Sequence, residues 1–296
     1  MRTRPILSWV PTGSSTVATT SLDEVVDVVA AGRVLVLSGA GLSTESGIPD
    51  YRGETGRLHR HAPMTYEEFI GSEHARRRYW ARSHLGWRTI ARAEPNTGHR
   101  AVAELHRRGY LYGVITQNVD GLHQAAGTPD VVELHGSLDA VTCLGCRAGS
   151  TRAQLERRLS AANPAFSGAA TRVNPDGDVE LADDVVRTFR LVDCAACGSG
   201  VLKPDVVFFG EAVPRTRVRR CFELVDAADA LLVLGSSLAV MSGLRFVRHA
   251  AKTGKPVLII NRGETRGDPQ ATVRVDRPLG PALTELLDRL PAPAMS

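Results

Sequence analysis

The chain has 296 residues, of which 43% are hydrophobic and 23% are charged, a composition typical of globular proteins with a sizeable core. The formal net charge of +4 is too small to indicate a nucleic-acid-binding protein, because such proteins concentrate Lys and Arg on one face. No apolar run approaches the roughly 20 residues of a membrane-spanning helix, and the N-terminus lacks a signal-peptide core. These features favour a cytoplasmic protein.

Residues 1–20 are rich in Pro, Gly, Ser and Thr and are predicted to form a flexible arm. Ser21 followed by Glu24 fits a capping box that opens the first helix, and Gly32 can end it. Short runs of Val, Ile and Leu then alternate with helical segments, a rhythm that favours a parallel sheet covered on both faces.

Strands are predicted over residues 33–39, 110–116, 130–136, 204–210, 230–237, 255–261 and 271–276. Further helices are predicted over residues 99–109, 121–127, 215–228, 242–253 and 280–290. Two stretches interrupt the alternation and are predicted to be insertions into the α/β core. Residues 53–97 are predicted to form helices, and residues 137–203 contain four of the five cysteines.

Gly39, Ala40 and Gly41 follow the first predicted strand, where backbone N–H groups can approach a pyrophosphate. The same pattern also occurs in a plain strand-to-helix turn. The redox fingerprint G-x-G-x-x-G does not fit, because the next glycine is Gly47 and Asp50 comes too early to end a second strand. The polar residues that follow indicate a loop that folds over a ligand. This argues against a dehydrogenase that transfers a hydride.

Polar residues also follow the next strands. Gln117, Asn118 and Asp120 come directly after one, and His135 follows another. Ligands of doubly wound sheets bind at this edge, and histidine is the usual general base near neutral pH. The alternatives are a helix cap at Asp120 and a hydrogen-bonded core histidine at position 135. Two further strand ends carry Gly235, Ser236 and Ser237, and Asn261, Arg262 and Gly263, which suit an adenosine.

The cysteines form two C-x-x-C pairs, Cys143 with Cys146 and Cys194 with Cys197. Four thiolates in this pattern typically make a tetrahedral structural zinc site, and residues 147–193 would form a module held at its base by the metal. Four cysteines leave no open position for catalysis. A redox pair and free buried thiols are the alternatives, and Cys221 is predicted to be simply buried.

Taken together, these motifs resemble the sirtuin (Sir2) family. The matching elements are Gly-Ala-Gly with the following Ser-Gly-Ile-Pro-Asp-Tyr-Arg, Thr-Gln-Asn-Val-Asp, Glu-Leu-His-Gly, the paired Cys-x-x-Cys, Lys-Pro-Asp-Val-Val-Phe-Phe-Gly-Glu and Gly-Ser-Ser-Leu. They occur in order between Val34 and Leu290. The segments at 78–87 and 174–181 look like the class II branch in particular.

The resemblance implies an α/β fold with a Rossmann-like doubly wound sheet, formed by residues 21–52, 98–136 and 204–296. The helical insertion at 53–97 and a small zinc-binding domain at 137–203 would complete it. The implied activity is that of an NAD-dependent protein-lysine deacylase, which transfers the acyl group to ADP-ribose and releases nicotinamide. NAD is then a co-substrate, and one structural zinc is expected.

In this resemblance His135 matches the general base that activates a ribose hydroxyl, with Gln117, Asn118 and Asp120 beside it. The implied NAD contacts are Gly39, Ala40, Gly41, Ser43, Thr44, Ile48, Asp50, Tyr51, Arg52, Gln117, Asn118, Asp120, Gly235, Ser236, Ser237, Asn261, Arg262, Gly263 and Leu279. Val206, Phe209 and Gly210 match the edge where an acyl-lysine peptide adds as a strand.

Relatives that take acidic acyl chains carry a Tyr-x-x-Arg pair after the closing loop. This chain has Arg57 and Arg60 there but no tyrosine, which favours acetyl or longer neutral acyl groups. The expected partners are acylated-lysine proteins, with no specific nucleic acid and no membrane, and the chain is expected to be a monomer. The alternative functions are an NAD-dependent ADP-ribosyltransferase, an NAD oxidoreductase, which would form NADH, and a zinc module that binds protein or nucleic acid.

Overall fold

A computed structural model describes residues 21–51, 63–166, 179 and 181–291, without the side chain of Arg88. The predicted arm at 1–20 and the residues Arg52, Arg57 and Arg60 lie outside this part of the chain.

The helices are α1 (Leu22–Ala30), α2 (Tyr66–Gly71), α3 (Glu73–Ile90), α4 (Thr97–Arg107), α5 (Leu122–Ala125), α6 (Arg152–Ala162), α7 (Asp183–Thr188), α8 (Arg215–Ala227), α9 (Met241–Lys252) and α10 (Leu279–Arg289). The strands are β1 (Val34–Ser38), β2 (Leu111–Thr116), β3 (Val132–Glu133), β4 (Gly136–Cys143), β5 (Gly149–Thr151), β6 (Leu202–Val206), β7 (Ala230–Leu234), β8 (Val257–Ile260) and β9 (Val273–Val275).

The main sheet has six strands in the order β3-β2-β1-β7-β8-β9, and all its pairs are parallel. Successive β1 residues point to opposite faces, as the strand geometry requires. Val34 and Val36 join the core under α1, α4 and α10, whereas Leu35 and Leu37 join the core under α8 and α9. Helices therefore cover both faces, which confirms the predicted doubly wound sheet.

The first helix begins at the predicted residue, but its cap differs from the prediction. The Ser21 side chain accepts from the backbone N–H of Asp23 at 3.1 Å, so it forms a cap without the expected partner Glu24. Gly32 follows the helix with a φ of +85°, the left-handed conformation that glycine adopts without strain.

A second sheet of three antiparallel strands, in the order β5-β4-β6, stands apart from the first. Two strand predictions are wrong because of it. The strand expected over 130–136 contributes only Val132 and Glu133 to the main sheet, and the strand expected over 204–210 is β6 of the small sheet.

Gly136 is the physical reason for this break. Its φ is +85°, and a Cβ there would overlap the carbonyl oxygen of Asp205. The chain thus turns from the main sheet into β4 at a point where only glycine fits, immediately after His135.

The two predicted insertions share one core. Phe69, Tyr79 and Trp80 of α2 and α3 pack with Cys143 and Leu155 of the cysteine-bearing region. The helical insertion and the cysteine region therefore form one structural unit beside the main sheet. Among the described helices, none is long and apolar enough to cross a bilayer.

Replacing Gly136 with alanine should lower the free energy of unfolding by more than about 2 kcal/mol, because the side chain adds both a left-handed strain and a backbone clash. Urea denaturation checks this, with Gly149→Ala of β5 as the control, since nothing lies within 4 Å of a Cβ there. Equal, small changes in the two variants would contradict the role of Gly136.

Candidate functional site

The carboxyl ends of the parallel strands bring the predicted site residues to one edge of the main sheet. Ser38, Thr116 and Leu234 pair as neighbours at the ends of β1, β2 and β7. The residues that follow these ends include Gly39, Gln117 and Gly235. Asn261 follows β8, and His135 lies two residues beyond β3. The five strand ends predicted to share an edge therefore do so.

The glycines of the first turn allow two strand ends to approach closely. A Cβ at Gly39 would lie 2.7 Å from the Ser236 Cβ, and one at Gly41 would lie 2.8 Å from the Gly235 carbonyl oxygen. The N–H groups of Gly39 and Gly41 donate to the carbonyls of Leu234 and Gly235 at 2.9 and 2.8 Å. The turn after β1 is thus fastened to the turn after β7.

Ser43 is the centre of a hydrogen-bond network beneath this turn. Its hydroxyl donates to Asp120 Oδ2 at 2.7 Å, because a carboxylate can only accept. It therefore accepts from Asn118 Nδ2 at 3.0 Å, and Asn118 also donates to the Gly39 carbonyl at 3.1 Å. The second Asp120 oxygen accepts from Leu122 N at 3.0 Å. Three predicted residues, Ser43, Asn118 and Asp120, thereby fix one another.

Two histidines that sequence reasoning did not select complete the network. The His99 Nδ1 accepts from Asn96 N at 3.4 Å, so the protonated Nε2 faces Ser43 Oγ at 3.5 Å. The Ser38 hydroxyl donates to Thr116 Oγ1, so it accepts from the Nε2–H of His123 at 2.8 Å. Both histidines lie in helices, and the sequence does not show whether a helical side chain faces the core, because that depends on how the helix packs. For His99 the sequence did carry one signal, because Asn96 caps α4 and pairs with His99 in a capping box.

Burial keeps these imidazoles uncharged. It lowers the pKa of His99 to about 3, aided by the nearby His123 and Arg100, and the pKa of His123 to about 4. Burial also raises the pKa of Asp120, while its bonds to Leu122 and Ser43 oppose that rise. The floor of the site is therefore built from neutral donors and acceptors around one carboxyl group.

His135 is held at both ring nitrogens. Its Nδ1 lies 2.9 Å from the Gln117 carbonyl oxygen, which only accepts, so Nδ1 carries the proton. Its Nε2 lies 2.8 Å from Ser242 Oγ. Burial lowers its pKa to about 4; the Gln117 bond opposes this shift, and Arg217 and Arg245 add to it. Near neutral pH, His135 thus has an unprotonated Nε2, which can accept a proton as a general base requires.

The Gln117 side chain links the strand ends. Its amide nitrogen donates to Ser236 Oγ at 2.8 Å and to the Ser38 carbonyl at 3.2 Å. Ser236 is buried, and its Oγ also accepts from Leu238 N at 3.2 Å. Gln117 and Ser236, both predicted to contact NAD, are therefore in direct contact with each other.

The segment after the glycine turn leads towards the small sheet. Thr44 Oγ1 donates to the Gly41 carbonyl at 3.0 Å, and Ile48 is buried against Leu122 and Leu138. Asp50 is half-buried. Tyr51 is exposed and meets Phe209 edge-on, with ring centroids 6.0 Å apart. The predicted closing loop and the predicted peptide edge thus touch at these two rings.

The predicted adenosine side is more open. Asn261 donates to the carbonyls of Arg262 and Gly263 at 2.8 and 3.0 Å, so its amide stabilises its own turn. Arg262 and Gly263 are exposed, and Ser237 is half-buried. Leu279 is buried against the Gly235 turn, where a Cβ on Gly235 would lie 2.6 Å from Leu279 Cδ1.

The predicted peptide edge runs from β6 into the following turn. Val207 N donates to the His135 carbonyl at 2.8 Å, and Tyr66 N donates to the Phe209 carbonyl at 2.9 Å. Val206 packs between the small unit and the cluster around Ile48, while Gly210 is exposed with a φ of +84°. This edge is therefore tied directly to the backbone of His135.

The four cysteines lie together at the far end of the small sheet. The Sγ atoms of Cys143, Cys146, Cys194 and Cys197 are all within 4.8 Å of one another. A tetrahedral zinc with Zn–S bonds of about 2.3 Å separates its sulfurs by about 3.8 Å. The distances from Cys143 to Cys197 and from Cys146 to Cys194 are 3.9 and 3.7 Å. The cluster thus has the dimensions of a zinc site.

Backbone features around the cluster also fit a metal. The N–H groups of Cys146 and Ala196 point at the sulfurs of Cys143 and Cys194, at 3.5 and 3.4 Å, which favours thiolates. A Cβ at Gly200 would overlap the Cys143 sulfur, so this position admits only glycine. Cys221, as predicted, is buried in α8 away from the cluster.

Comparisons with known proteins give a consistent result. Residues 39–242 match the sequence profile of the Sir2 family. The chain is 66% identical over 290 residues to the NAD-dependent protein deacetylase 1 of Streptomyces coelicolor, covering 98% of this chain and 97% of that relative. It is 49% identical over 274 residues to the enzyme of the same name from Corynebacterium efficiens, covering 91% and 98%.

Solved structures agree in fold. A structure described as "Sir2-p53 peptide-NAD+" superposes with a TM-score of 0.73 at 28% identity, covering 91% of this chain and 98% of that one. A structure of Sir2Tm bound to a propionylated peptide gives a TM-score of 0.70 at 27% identity, again with 91% and 98% coverage.

The fold and the site define a Rossmann-like α/β protein that carries an additional four-cysteine metal unit. The chain belongs to the Sir2 family.

The cysteine geometry predicts one bound zinc per chain, and Cys143→Ser should lose it and unfold at a lower temperature, because binding of a structural metal contributes directly to folding. Metal analysis after gel filtration and a thermal melt measure both effects. Cys221→Ala is the control and should keep its zinc, since Cys221 lies outside the cluster. Full zinc content in Cys143→Ser would contradict the assignment.

The neutral histidines predict acid sensitivity. Unfolded histidine binds a proton below pH 6.5, whereas folded His123 does so only near its pKa of about 4. The unfolded state therefore binds more protons in this window, and stability falls as the pH falls from about 6.5 to 4, by about 1.4 kcal/mol per pH unit for each such group.

The His123→Asn variant should show this as a shallower pH dependence of the unfolding free energy. Between pH 6.5 and about 5 it should lose about 2 kcal/mol less than the unmodified protein. His74→Asn, at an exposed position on α3, is the matched control for the substitution. Identical slopes in all three proteins would show that His123 is not buried in its neutral form.

Proposed function

We propose that this chain is an NAD-dependent protein-lysine deacylase whose reaction takes place at the carboxyl edge of the main sheet. NAD is the co-substrate: the acyl group of a lysine side chain passes to ADP-ribose and nicotinamide is released. Two close relatives carry the name NAD-dependent protein deacetylase. The family reaction places the general base beside a ribose hydroxyl, and His135 has the tautomer that this role requires.

The observation that carries the proposal is the pair of networks at this edge. His135 presents an unprotonated Nε2, while Ser43, Asn118 and Asp120 form a preorganised polar floor at the same edge of the main sheet. Groups whose positions are fixed before the ligand arrives do not have to reorganise during the reaction. We assign Asp120 and Ile48 to the nicotinamide end and Gln117 and Asn118 to the ribose.

The remaining dinucleotide contacts follow the sheet. We assign the Gly39–Gly41 turn to the phosphates and the turns at Gly235–Ser237 and Asn261–Gly263, with Leu279, to the adenosine side. Thr44, Asp50, Tyr51 and Arg52 belong to the segment that closes over the ligand, whereas Ser43 belongs to the fixed floor. Closure of such a segment excludes water while the glycosidic bond is cleaved.

The acyl-lysine substrate adds along Val206, Phe209 and Gly210, next to the backbone of His135. The neighbouring structures described with p53 and propionylated peptides are consistent with an extended peptide partner for this fold. The zinc is held by the four cysteines and supplies rigidity to the small sheet from which this edge extends. We further propose that the chain belongs to the class II branch, acts as a monomer in the cytoplasm and has no specific nucleic-acid partner.

His135→Ala should lower the rate of deacetylation at least about 100-fold, because it removes the general base. The measurement is release of nicotinamide and of deacetylated peptide from an acetyl-lysine peptide. Zinc content and the melting temperature should stay close to those of the unmodified protein. His249→Ala, whose histidine pairs with Asp226 at 2.6 Å near the other end of α9, is the control and should keep its activity. Full activity in His135→Ala would overturn the mechanism.

Peptides of one sequence carrying acetyl, long-chain or succinyl groups should rank with succinyl as the poorest substrate. A succinyl carboxylate needs a cation and a hydrogen-bond donor when it is buried, and the segment with Arg57 and Arg60 lacks the tyrosine of relatives that accept acidic chains. Steady-state kcat/KM values with a nicotinamide readout decide the order. Succinyl as the best substrate would refute the preference for neutral acyl groups.

A further inference from the structure

We propose that Ser242 is a positioning residue for His135: its hydroxyl holds the imidazole with the Nε2 lone pair directed at the site until a ribose hydroxyl replaces it. This inference rests on the proposed role of His135. It concerns a residue outside the motifs that the sequence singled out.

The hydrogen-bond directions follow from the acceptor at the other nitrogen. The Gln117 carbonyl, 2.9 Å from Nδ1, cannot donate, so Nδ1 is protonated and Nε2 is a bare acceptor. Ser242 Oγ lies 2.8 Å from Nε2 and must therefore be the donor. The Nε2 of the general base thus accepts a hydrogen bond from a hydroxyl. The ribose group that it is proposed to deprotonate is also a hydroxyl.

The backbone beside Ser242 lies close to Gln117, the residue that holds the other ring nitrogen of His135. Ser242 lies in the first turn of α9, and a Cβ on the next residue, Gly243, would lie 2.5 Å from Gln117 Oε1. The absence of a side chain at Gly243 therefore allows the start of α9 to lie directly against the Gln117 side chain. The backbone carbonyl of Gln117 accepts from Nδ1, so the residues that contact the two ring nitrogens of His135, Gln117 and Ser242, lie side by side.

The surrounding charges explain why His135 benefits from a neutral donor. Arg217 at the start of α8 and Arg245 of α9 both disfavour a protonated imidazole at His135. Glu133, two residues before His135, interacts with Arg217 and with Asp139. Arg217 is itself paired with Asp205 at 3.4 Å. A hydroxyl satisfies the Nε2 lone pair in this environment without adding a charge.

The hydroxyl suits both protonation states of the base. When a ribose O–H bond breaks and its proton forms the Nε2–H bond, the imidazolium keeps its Nδ1–H bond to Gln117. Ser242 Oγ retains free lone pairs and can then accept a hydrogen bond from the imidazolium. One side chain can thus orient the neutral base before a ribose hydroxyl replaces it, and can accept from the imidazolium once the ribose oxygen has left Nε2.

Nitrogen NMR of histidine-labelled protein without ligands tests the contact directly. In Ser242→Ala, the Nε2 resonance of His135 should move towards that of a non-hydrogen-bonded imidazole nitrogen, while Nδ1 stays protonated. Ser242→Thr keeps a hydroxyl and should keep the unmodified signal. Thr253→Ala, at the opposite end of α9, is the control for changes in helix stability. An unchanged Nε2 resonance in Ser242→Ala would overturn the proposal.

Two partial reactions separate positioning from general damage. Ser242→Ala should lower kcat for deacetylation about tenfold, as expected for the loss of one hydrogen bond to the base. Exchange of labelled nicotinamide into NAD, measured with an acetyl-lysine peptide, precedes the step that needs the base and should change less than about twofold. Equal losses in both reactions would overturn the proposal.

A double-mutant cycle makes the dependence on His135 explicit. In a His135→Ala background, Ser242→Ala should cause no further loss, because the group it positions is absent. Additive losses would contradict the inference. Absence of deacetylation in the unmodified protein would instead refute the proposed function, and the NMR result would still report whether Ser242 binds His135.

Discussion

The parallel pairing of β1 with β2 on one side and β7 on the other is the constraint on which the site depends. In this register Ser38 lies beside both Thr116 and Leu234, so three strands end at one level. The turns that follow must then share a small space, and the absence of side chains at Gly39, Gly41 and Gly235 is what allows them to do so. A shift of register by one residue would separate Gln117 from Ser236 and disperse the site.

A second constraint is the cost of burying polar groups. Asn118, Ser43, His99 and His123 are all buried, and each has a hydrogen-bond partner in the network beneath the glycine turn. Because burial keeps the imidazoles of His99 and His123 neutral, the network does not have to bury their positive charges. The same arrangement makes the folded state sensitive to acid.

The sequence was sufficient for five of the six strands of the main sheet, for its edge and for the four cysteines, since these follow from local patterns: apolar strands, the residues after them and paired C-x-x-C spacing. Long-range pairing explains what it missed. Of the strand predicted over 130–136, only Val132 and Glu133 join the main sheet, because the chain turns away at Gly136. Gly136 lies against the Asp205 carbonyl, which is a contact between distant segments. The shared core of α2, α3 and the cysteine region likewise depends on contacts across the chain.

The site residues divide in the same way. Gln117, Asn118, Asp120 and His135 follow strands and could be found by position. His99, His123 and Ser242 lie on helices, where a polar residue most often faces solvent, so only the packing of those helices reveals them. The adenosine-side residues Arg262 and Gly263 also follow a strand and are exposed, and their contact with NAD stays a prediction.

The most direct test of the account is a product count by mass spectrometry after incubation of the protein with NAD and an acetyl-lysine peptide. The account predicts equal amounts of nicotinamide, deacetylated peptide and acetyl-ADP-ribose. Release of nicotinamide with the acetyl-lysine intact and ADP-ribose attached to protein would contradict it.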